Sequence, residues 1–208
     1  MNLVFLGPPG SGKGTVAQLA KERMNVVHIS TGRLFRTIAE EPTTQGRLMK
    51  DLLAHGDLVP DELTIEVVKQ TLQQPEMAQG YILDGFPRTL AQAQALATLA
   101  DIDHVIYLNI GEDEVLKRLS GRRTAPSSGR VYHIIYNPPR VDGIDDETGE
   151  PLVQRDDDTH DAILHRLEIY EKQTEPLIDF YKELGLLRTI DGHGTPDEVY
   201  ERLIKTVG

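Results

Sequence analysis

Short apolar runs alternate with longer amphipathic stretches along this chain. Apolar residues on consecutive positions indicate strands that are covered on both faces, as in a parallel sheet. Five such runs predict strands at 3–6, 26–29, 81–83, 105–108 and 186–190. The stretches between them predict helices at 13–24, 31–40, 43–55, 61–74, 89–100, 112–121, 160–184 and 196–206. This alternation predicts an α/β fold built on a doubly wound sheet.

Polar residues favour helix starts at three of these positions. Asp61 stands ahead of an amphipathic run, Thr89 stands ahead of an alanine-rich run, and Thr195 precedes Pro196. Asp and Thr accept hydrogen bonds from free backbone N–H groups, and proline is tolerated in the first turn of a helix. We therefore expect these residues to cap their helices.

The segment 122–159 departs from the helical pattern. Proline, glycine, serine and asparagine accumulate there, and only two short pieces, at 131–136 and 152–153, favour strands. A structureless loop of this length is uncommon inside a compact domain. The segment is therefore predicted to form a small inserted β subdomain or lid.

Composition narrows the classes of function. The chain has 208 residues, 22 Lys and Arg, 33 Asp and Glu, a formal net charge of −11 and no Cys. The acidity argues against nucleic-acid partners and against docking on anionic membranes. The missing thiols exclude disulfides, thiolate zinc sites and thiol nucleophiles. With no basic leader and no run of ~20 apolar residues, we expect a cytoplasmic protein.

The first predicted strand is followed directly by GPPGSGKGT at 7–15, which leads into the first helix. Glycines let backbone N–H groups turn toward phosphate oxygens, Lys13 adds a cation, and the helix N-terminus adds partial positive charge. We interpret this as a P-loop. Gly14 stands where most P-loops carry Ser or Thr, so any Mg²⁺ is expected to rest mainly on substrate oxygens, water and a carboxylate.

Two more strand ends carry candidate chemistry. Asp84 and Arg88 follow the third strand, at the edge where open α/β sheets bind ligands. Asp84 is positioned to hold Mg²⁺ through water and Arg88 to reach a phosphate; the alternative is a capping Asp beside a surface Arg. The segment 30–36 opens a helix after the second strand. Two phosphate-suited helix starts predict two phosphate-bearing ligands.

The motifs together carry a family resemblance. They are GPPGSGKGT at 7–15, STGRLFR at 30–36, LDGFPRT at 83–89, GRR at 121–123, SGRVYH at 128–133, NPP at 137–139 and RDDD at 155–158. In this order the chain resembles the adenylate kinases of the bacterial long-lid type, over essentially its whole length. The resemblance implies reversible, Mg²⁺-dependent phosphoryl transfer from ATP to AMP, giving two ADP, by a monomer.

The resemblance also implies an architecture. The P-loop core would comprise a five-stranded parallel sheet within 1–29, 60–121 and 160–208. A helical segment at 30–59 would bind AMP, and the lid would cover 122–159. The lid would close over both nucleotides and exclude water, which is the competing acceptor.

Individual residues receive roles from the same resemblance. The ATP phosphates would be wrapped by Gly10, Ser11, Gly12, Lys13, Gly14 and Thr15. The rest of ATP would be contacted by Arg118, Arg122, Val131, Tyr132 and Gly194. AMP would be held by Thr31, Arg36, Asp57, Leu58, Val59, Gly85, Phe86, Pro87, Arg88 and Gln92, with the Gln92 amide reading adenine, and by Arg155 and Arg166, which also reach the transferring phosphate. The catalytic set would be Lys13, Asp84, Arg88, Arg122, Arg155 and Arg166.

Several positions depart from the family pattern. Arg33 replaces an acidic residue that helps to order the water shell of Mg²⁺. Many relatives bind zinc in the lid through cysteines, which this chain lacks, so no zinc is expected. Ser128, Asp145 and Thr148 stand at the matching positions and predict a hydrogen-bonded network instead. The acidic run 156–158 is expected to be a hinge paired with lid arginines rather than a metal site.

Two alternatives stay open at this point. One is a nucleoside monophosphate kinase with another acceptor or donor, such as a GTP:AMP phosphotransferase. The other, from a different class, is a P-loop hydrolase that works as a regulatory switch on a single nucleotide. The two predicted phosphate sites favour a two-nucleotide enzyme over the switch.

Overall fold

The computed structural model describes all 208 residues. The strands are β1 (Asn2–Leu6), β2 (Val27–Ser30), β3 (Tyr81–Asp84), β4 (His104–Asn109), β5 (Arg122–Thr124), β6 (Val131–His133) and β7 (Leu187–Asp191). The α-helices are α1 (Lys13–Met24), α2 (Thr31–Ala39), α3 (Thr44–His55), α4 (Asp61–Leu72), α5 (Leu90–Leu99), α6 (Glu112–Ser120), α7 (His160–Ile169), α8 (Leu177–Glu183) and α9 (Pro196–Val207). Short 3₁₀ turns occupy Pro75–Gln79 and Asp156–Asp158, and a π-helical turn occupies Tyr170–Thr174.

Five strands form one parallel sheet in the order β2-β3-β1-β4-β7. The prediction of a five-stranded doubly wound α/β fold is confirmed. β1 lies at the centre, with β3 on one side and β4 on the other. The chain therefore changes winding direction next to β1. The carboxyl end of β1 opens into the crevice where such sheets bind ligands.

Burial on both faces of the sheet explains the consecutive apolar residues of β1. Leu3 and Phe5 pack into one core with α1 and α9, and Val4 and Leu6 pack into the other with α5 and α8. All four side chains are almost fully buried. Each such side chain contributes about 1.5–3 kcal/mol of burial free energy, so the central strand is a rigid support for the loop that follows it.

The three predicted helix caps have different outcomes. Thr89 accepts a hydrogen bond from the Gln92 N–H at 3.2 Å, and Thr195 forms a reciprocal capping box with Glu198. The prediction for Asp61 is wrong, because Asp61 is the first residue of α4 and does not cap it. Its carboxylate instead accepts from the Thr89 hydroxyl at 3.0 Å and from Gln92 Nε2 at 2.7 Å. Both donors lie at the start of α5, so the Asp61 carboxylate bonds to the neighbouring helix, and Pro60 occupies the N-cap position of α4.

The single helix predicted over 160–184 is interrupted in the structure. α7 ends at Ile169, a π-helical turn follows, and α8 begins at Leu177. Pro176 accounts for the break, because proline has no N–H to donate and its ring crowds the carbonyl four residues earlier.

Two insertions flank the carboxyl edge of the sheet. In 30–59, α2 and α3 share a small core of Phe35, Met49 and Val59. In 122–159, β5 and β6 pair antiparallel. The strand predicted at 131–136 ends at His133, and β5 was not predicted, because its Arg-Arg-Thr sequence carries no apolar alternation. No helix in the structure is long and apolar enough to cross a membrane.

Candidate active site

A deep cleft lies at the carboxyl edge of the sheet, between the two insertions. Its volume is about 1760 Å³. The P-loop forms one wall, the start of α2 and the end of β3 form another, and residues of 122–159 cover the opening. Most of the predicted site residues are therefore brought to a single cavity, although they are spread over nearly 190 positions of the chain.

The P-loop has the backbone conformation that its glycines allow. Gly10 and Gly12 have φ of 81° and 94°, in the left-handed region. A Cβ on Gly10 would lie 2.8 Å from Leu119 Cγ, so a side chain there would also collide with α6. The glycines thus permit a tight loop whose N–H groups turn inward.

Lys13 lies over the floor of this loop. Its Nζ donates to Gly7 O at 2.7 Å, Pro8 O at 2.8 Å and Ser11 Oγ at 3.2 Å. Burial lowers the pKa of Lys13 to about 7, although the Asp84 carboxylate opposes the shift. A phosphate beside Nζ would favour the charged form and raise this pKa again.

The N-termini of α1 and α2 differ from those of the other helices. Neither has a capping side chain, and neither has an acidic residue in its first turn. Each of the other α-helices has one or both: a threonine cap on α3, α5, α7 and α9, or acids in the first turn of α4, α6 and α8. The two helices that start at the cleft therefore leave N–H groups and partial positive charge available to anions.

Asp84 ends β3 beside the P-loop. His28 Nε2 lies 3.2 Å from Asp84 Oδ2, and the side chains of both are largely buried. Burial by itself raises the pKa of Asp84, but the hydrogen bond and charge of His28, together with Lys13 and Arg88, lower it overall, so the carboxylate stays ionised. A Cβ on Gly14 would lie 3.2 Å from Asp84 Oδ2. This crowding gives a physical reason for glycine in place of the usual Ser or Thr.

A narrow pocket next to α2 gathers the residues predicted for the second nucleotide. It is lined by Thr31, Asp57, Leu58, Val59, Gly85, Arg88 and Gln92. Phe35, Leu53 and Thr64 line the same pocket and are not among the predicted site residues. Phe35 and Leu53 fit the apolar pattern of amphipathic helices and Thr64 is an isolated polar residue, so none of them carries a separate signal for a ligand.

Four predicted contacts have side chains that are already engaged elsewhere. Phe86 is fully buried in the core, so only its backbone can border the site. The Tyr132 hydroxyl donates to Asp145 at 2.8 Å, inside the lid. Asp57 Oδ1 lies 2.7 Å from His165 Nε2. Gln92 donates to Asp61 and accepts from the Arg88 N–H at 2.8 Å, which occupies the amide expected to read adenine.

Three arginines converge on the acidic run that precedes α7. Arg122 forms a two-pronged pair with Asp158, and its Nε donates at 2.7 Å. Arg166 Nη1 lies 3.0 Å from Asp157 Oδ2 and 3.3 Å from Asp158 Oδ1. Arg36 Nη2 lies 3.4 Å from Asp157 Oδ2. The predicted pairing with lid arginines holds for Asp158 and Arg122, whereas Arg36 and Arg166 lie outside 122–159 and Asp156 forms no ion pair.

Burial, together with mutual repulsion, disfavours the charged forms of the clustered arginines. Burial, opposed by Asp157 and reinforced by Arg122, lowers the pKa of Arg166 to about 10. Burial and the charges of Arg122 and Arg36 also lower the pKa of Arg155, whose Nε donates to Thr124 Oγ1 at 2.9 Å. An incoming phosphate would relieve this repulsion, so the cluster is arranged to bind anions.

Arg118 borders the donor side of the cleft. Its Nη1 donates to Ser11 O at 3.3 Å and its Nη2 to Gly192 O at 3.1 Å, which ties the P-loop to the loop after β7. Gly194, predicted to lie near adenine, follows in that loop with φ 103°. The two predicted residues therefore belong to one wall.

The lid is held together by a buried carboxylate. Asp145 accepts hydrogen bonds from five donor groups, in Arg130, Tyr132, Glu147 and Thr148. Burial by itself raises the pKa of Asp145, but the hydrogen bonds from Thr148, Tyr132 and Arg130 outweigh it and lower this pKa. The predicted Asp145–Thr148 link is confirmed, but Ser128 only accepts from the Arg130 N–H. With its oxygens saturated by donors, the carboxylate does not fit a zinc site.

Arg33, the residue that departs from the family pattern, is exposed at the cleft. A Cβ on Gly129 would lie 3.3 Å from Arg33 Nε, so the arginine reaches the lid loop. The replacement of an acid therefore places a cation between the 30–59 segment and the lid.

Comparison with known proteins agrees with this geometry. The model of the family described as "Adenylate kinase" matches residues 5–186. An adenylate kinase from Finegoldia magna is 47% identical over 209 residues, which cover 98% of this chain and 97% of that protein. Adenylate kinases from Exiguobacterium sibiricum and Methanothrix thermoacetophila are 46% and 45% identical, and each alignment covers 100% of this chain and 98–99% of the relative.

The chain belongs to the adenylate kinase family. Its activity is therefore ATP:AMP phosphotransfer, a transferase reaction between two nucleotides. Membership decides against the regulatory switch, which would need only one nucleotide site.

Proposed function

We propose that the two uncapped helices divide the nucleotides between them. The N-terminus of α1, with the P-loop and Lys13, takes the phosphates of ATP, and the N-terminus of α2, with Arg36 and Arg88, takes the phosphate of AMP. The observation that carries the proposal is that α1 and α2 alone start without a cap or an acid, and both start at the cleft.

The chemistry follows from placing two anions side by side. Each terminal phosphate brings up to about −2 charge, so the reacting oxygens repel one another. Lys13, Arg88, Arg122, Arg155 and Arg166 would offset this repulsion. A phosphate oxygen of AMP attacks the γ-phosphorus of ATP, the bond from that phosphorus to the bridging oxygen breaks, and two ADP result. The acceptor is already an oxyanion, so no general base is required.

Mg²⁺ suits the donors at this site. Asp84 supplies one ionised carboxylate beside the P-loop, and no cluster of three or more ligating side chains is present. Mg²⁺ typically keeps several waters and binds through one or two carboxylates together with substrate phosphates. Asp84 would hold the ion through water, and the bound ion would neutralise phosphate charge.

Motion of both insertions is part of the proposal. The pocket for the second base has a volume of about 30 Å³ and shares Gly32, Leu53 and Arg88 with the larger cleft, so movement of 30–59 would widen it for adenine. Closure of 122–159 would bring Arg122 and Arg155 onto the phosphates and exclude water. Both nucleotide sites lie within one chain, and we propose that it works as a cytoplasmic monomer.

The direct test is ADP formation by the purified protein with Mg²⁺ and ATP, or GTP, against a panel of nucleoside monophosphates. Each assay has a matched control without acceptor. Fast ADP formation with ATP only when AMP is present supports the proposal. Activity with UMP or CMP instead would keep the phosphate residues but overturn the assigned base pocket. Equal nucleotide cleavage without any acceptor would overturn the two-site scheme.

A further inference from the structure

The π-helical turn between α7 and α8 redirects one side chain toward the cleft. Glu175 N–H donates to Tyr170 O at 2.9 Å, a bond spanning five residues rather than four. Such turns insert one extra residue and change which face of a helix the following side chains occupy, and they are frequent at functional sites. Thr174 is the last residue of this turn.

The Thr174 hydroxyl leaves its own helix. Helical threonines commonly donate to the carbonyl one turn back, as Thr71 does to Val67 O and Thr206 does to Arg202 O, both at 2.8 Å. Thr174 Oγ1 instead donates to Arg88 O at 2.8 Å, across 86 positions of sequence. The side chain is nearly buried, with 8% of the residue exposed.

This bond completes a clamp on Arg88. The Arg88 N–H donates to Gln92 Oε1 at 2.8 Å, and Arg88 Nε donates to Gly85 O at 2.8 Å. The backbone of Arg88 is thus fixed on both its N–H and its carbonyl side. Its guanidinium has no carboxylate within ion-pair distance, unlike those of Arg36, Arg122 and Arg166. The position of this cation is therefore held by hydrogen bonds rather than by an ion pair.

We propose that Thr174 is a positioning residue for Arg88. By holding the Arg88 carbonyl, it fixes the guanidinium where the acceptor phosphate binds, and it links that cation to the helix that carries Arg166. The inference rests on the proposed role of Arg88 at the AMP phosphate. Small displacements of a phosphate-binding group cost rate because the reacting atoms lose alignment.

The test compares Thr174→Val, which keeps the shape but removes the donor, with Thr174→Ser, which keeps the hydroxyl. We expect Thr174→Val to lower kcat/KM for AMP about tenfold, with KM for ATP within about twofold of the parent. Thr174→Ser should restore most of the loss. Thr71→Val, which removes a matched hydroxyl far from the cleft, should leave activity unchanged. All assays are run well below each variant's Tm, measured in parallel.

A double-mutant cycle separates positioning from a general structural effect. In an Arg88→Ala background, Thr174→Val should lower kcat/KM by less than about twofold, because the group it positions is gone. An undiminished tenfold loss in that background would overturn the inference, and so would unchanged AMP kinetics in Thr174→Val alone. If Arg88→Ala itself left AMP kinetics unchanged, the proposed role of Arg88 would fail first, and the inference with it.

Discussion

Two arginine–aspartate pairs lie within the same segment, 122–159, and have different roles. Arg122 pairs with Asp158 beside the cleft, and Arg130 pairs with Asp145 inside the lid. Both aspartate side chains are fully buried. Asp145 is surrounded by donors from the 122–159 segment itself, whereas Asp158 is shared by Arg122 of that segment and Arg166 of α7.

The difference shows that burial of an ion pair does not by itself tell whether the pair stabilises the fold or serves the site. Such pairs contribute little net stability unless every remaining donor and acceptor is satisfied. Asp145 meets that condition, and so it fixes the shape of the lid without a metal. At Asp158 the Arg122 Nη1 keeps no protein partner, because only Nε and Nη2 bond the carboxylate. That pair holds a cation ready for an anion.

The largest loss of turnover is expected when Lys13 is removed from the floor of the cleft. Lys13→Met should lower the rate of phosphoryl transfer by about 10³-fold, because it removes the positive charge that lies beside the transferring phosphate. Thermal unfolding should change little. Steady-state turnover with saturating ATP and AMP checks this, with Lys69→Met on α4 as a surface control. Near-normal turnover of Lys13→Met would remove the residue from catalysis.

A smaller loss is expected when the cleft pair is broken at its carboxylate. Asp158→Asn should lower kcat about tenfold, since Arg122 and Arg166 keep their charge but lose their common anchor. Asp156→Asn is the matched control, because Asp156 is exposed and makes no side-chain hydrogen bond. If both variants lose turnover equally, the anchoring role of Asp158 is wrong.

Breaking the lid pair, Arg130–Asp145, should lower the stability of the lid rather than the rate of phosphoryl transfer. Asp145→Asn removes the charge that its donors surround, so the lid should be cleaved by protease about tenfold faster than in the parent. At low temperature kcat should fall by less than about threefold. Asp142→Asn, an exposed lid residue without partners, serves as the control. A lid that stays equally resistant would show that the network does not depend on this carboxylate.

The smallest expected effect is the uptake of a fraction of a proton by the protein when ATP binds. Because the pKa of free Lys13 is about 7 and a phosphate raises it, ATP binding should take up protons at pH values above about 7, where the free lysine is deprotonated and the bound lysine is still charged. Calorimetry in buffers of different ionisation enthalpy measures this uptake. Lys13→Met removes the residue's share while ATP's own titration remains. Equal uptake by parent and variant would contradict the shifted pKa.

The elements that depend on local sequence could be predicted from the sequence. The consecutive apolar residues of β1 and the glycines after it are local signals, and the structure confirms the strand and the loop. The cap at Asp61 is predicted wrongly because the partners of its carboxylate, Thr89 and Gln92, lie outside its own helix. No local pattern marks the bond between Thr174 and Arg88, which depends on how Pro176 breaks a helix. β5 forms only because a partner strand returns beside it.

In this interpretation the cleft pair, Arg122–Asp158, serves phosphoryl transfer, and the lid pair, Arg130–Asp145, maintains the shape of the lid. Arg122→Met and Arg130→Met, measured side by side for kcat and for protease cleavage of the lid, separate these two roles. We predict that Arg122→Met lowers kcat about 100-fold with an intact lid, while Arg130→Met exposes the lid and lowers kcat by less than about threefold. Near-parent kcat in Arg122→Met, or a 100-fold loss in Arg130→Met with a protected lid, would contradict the account.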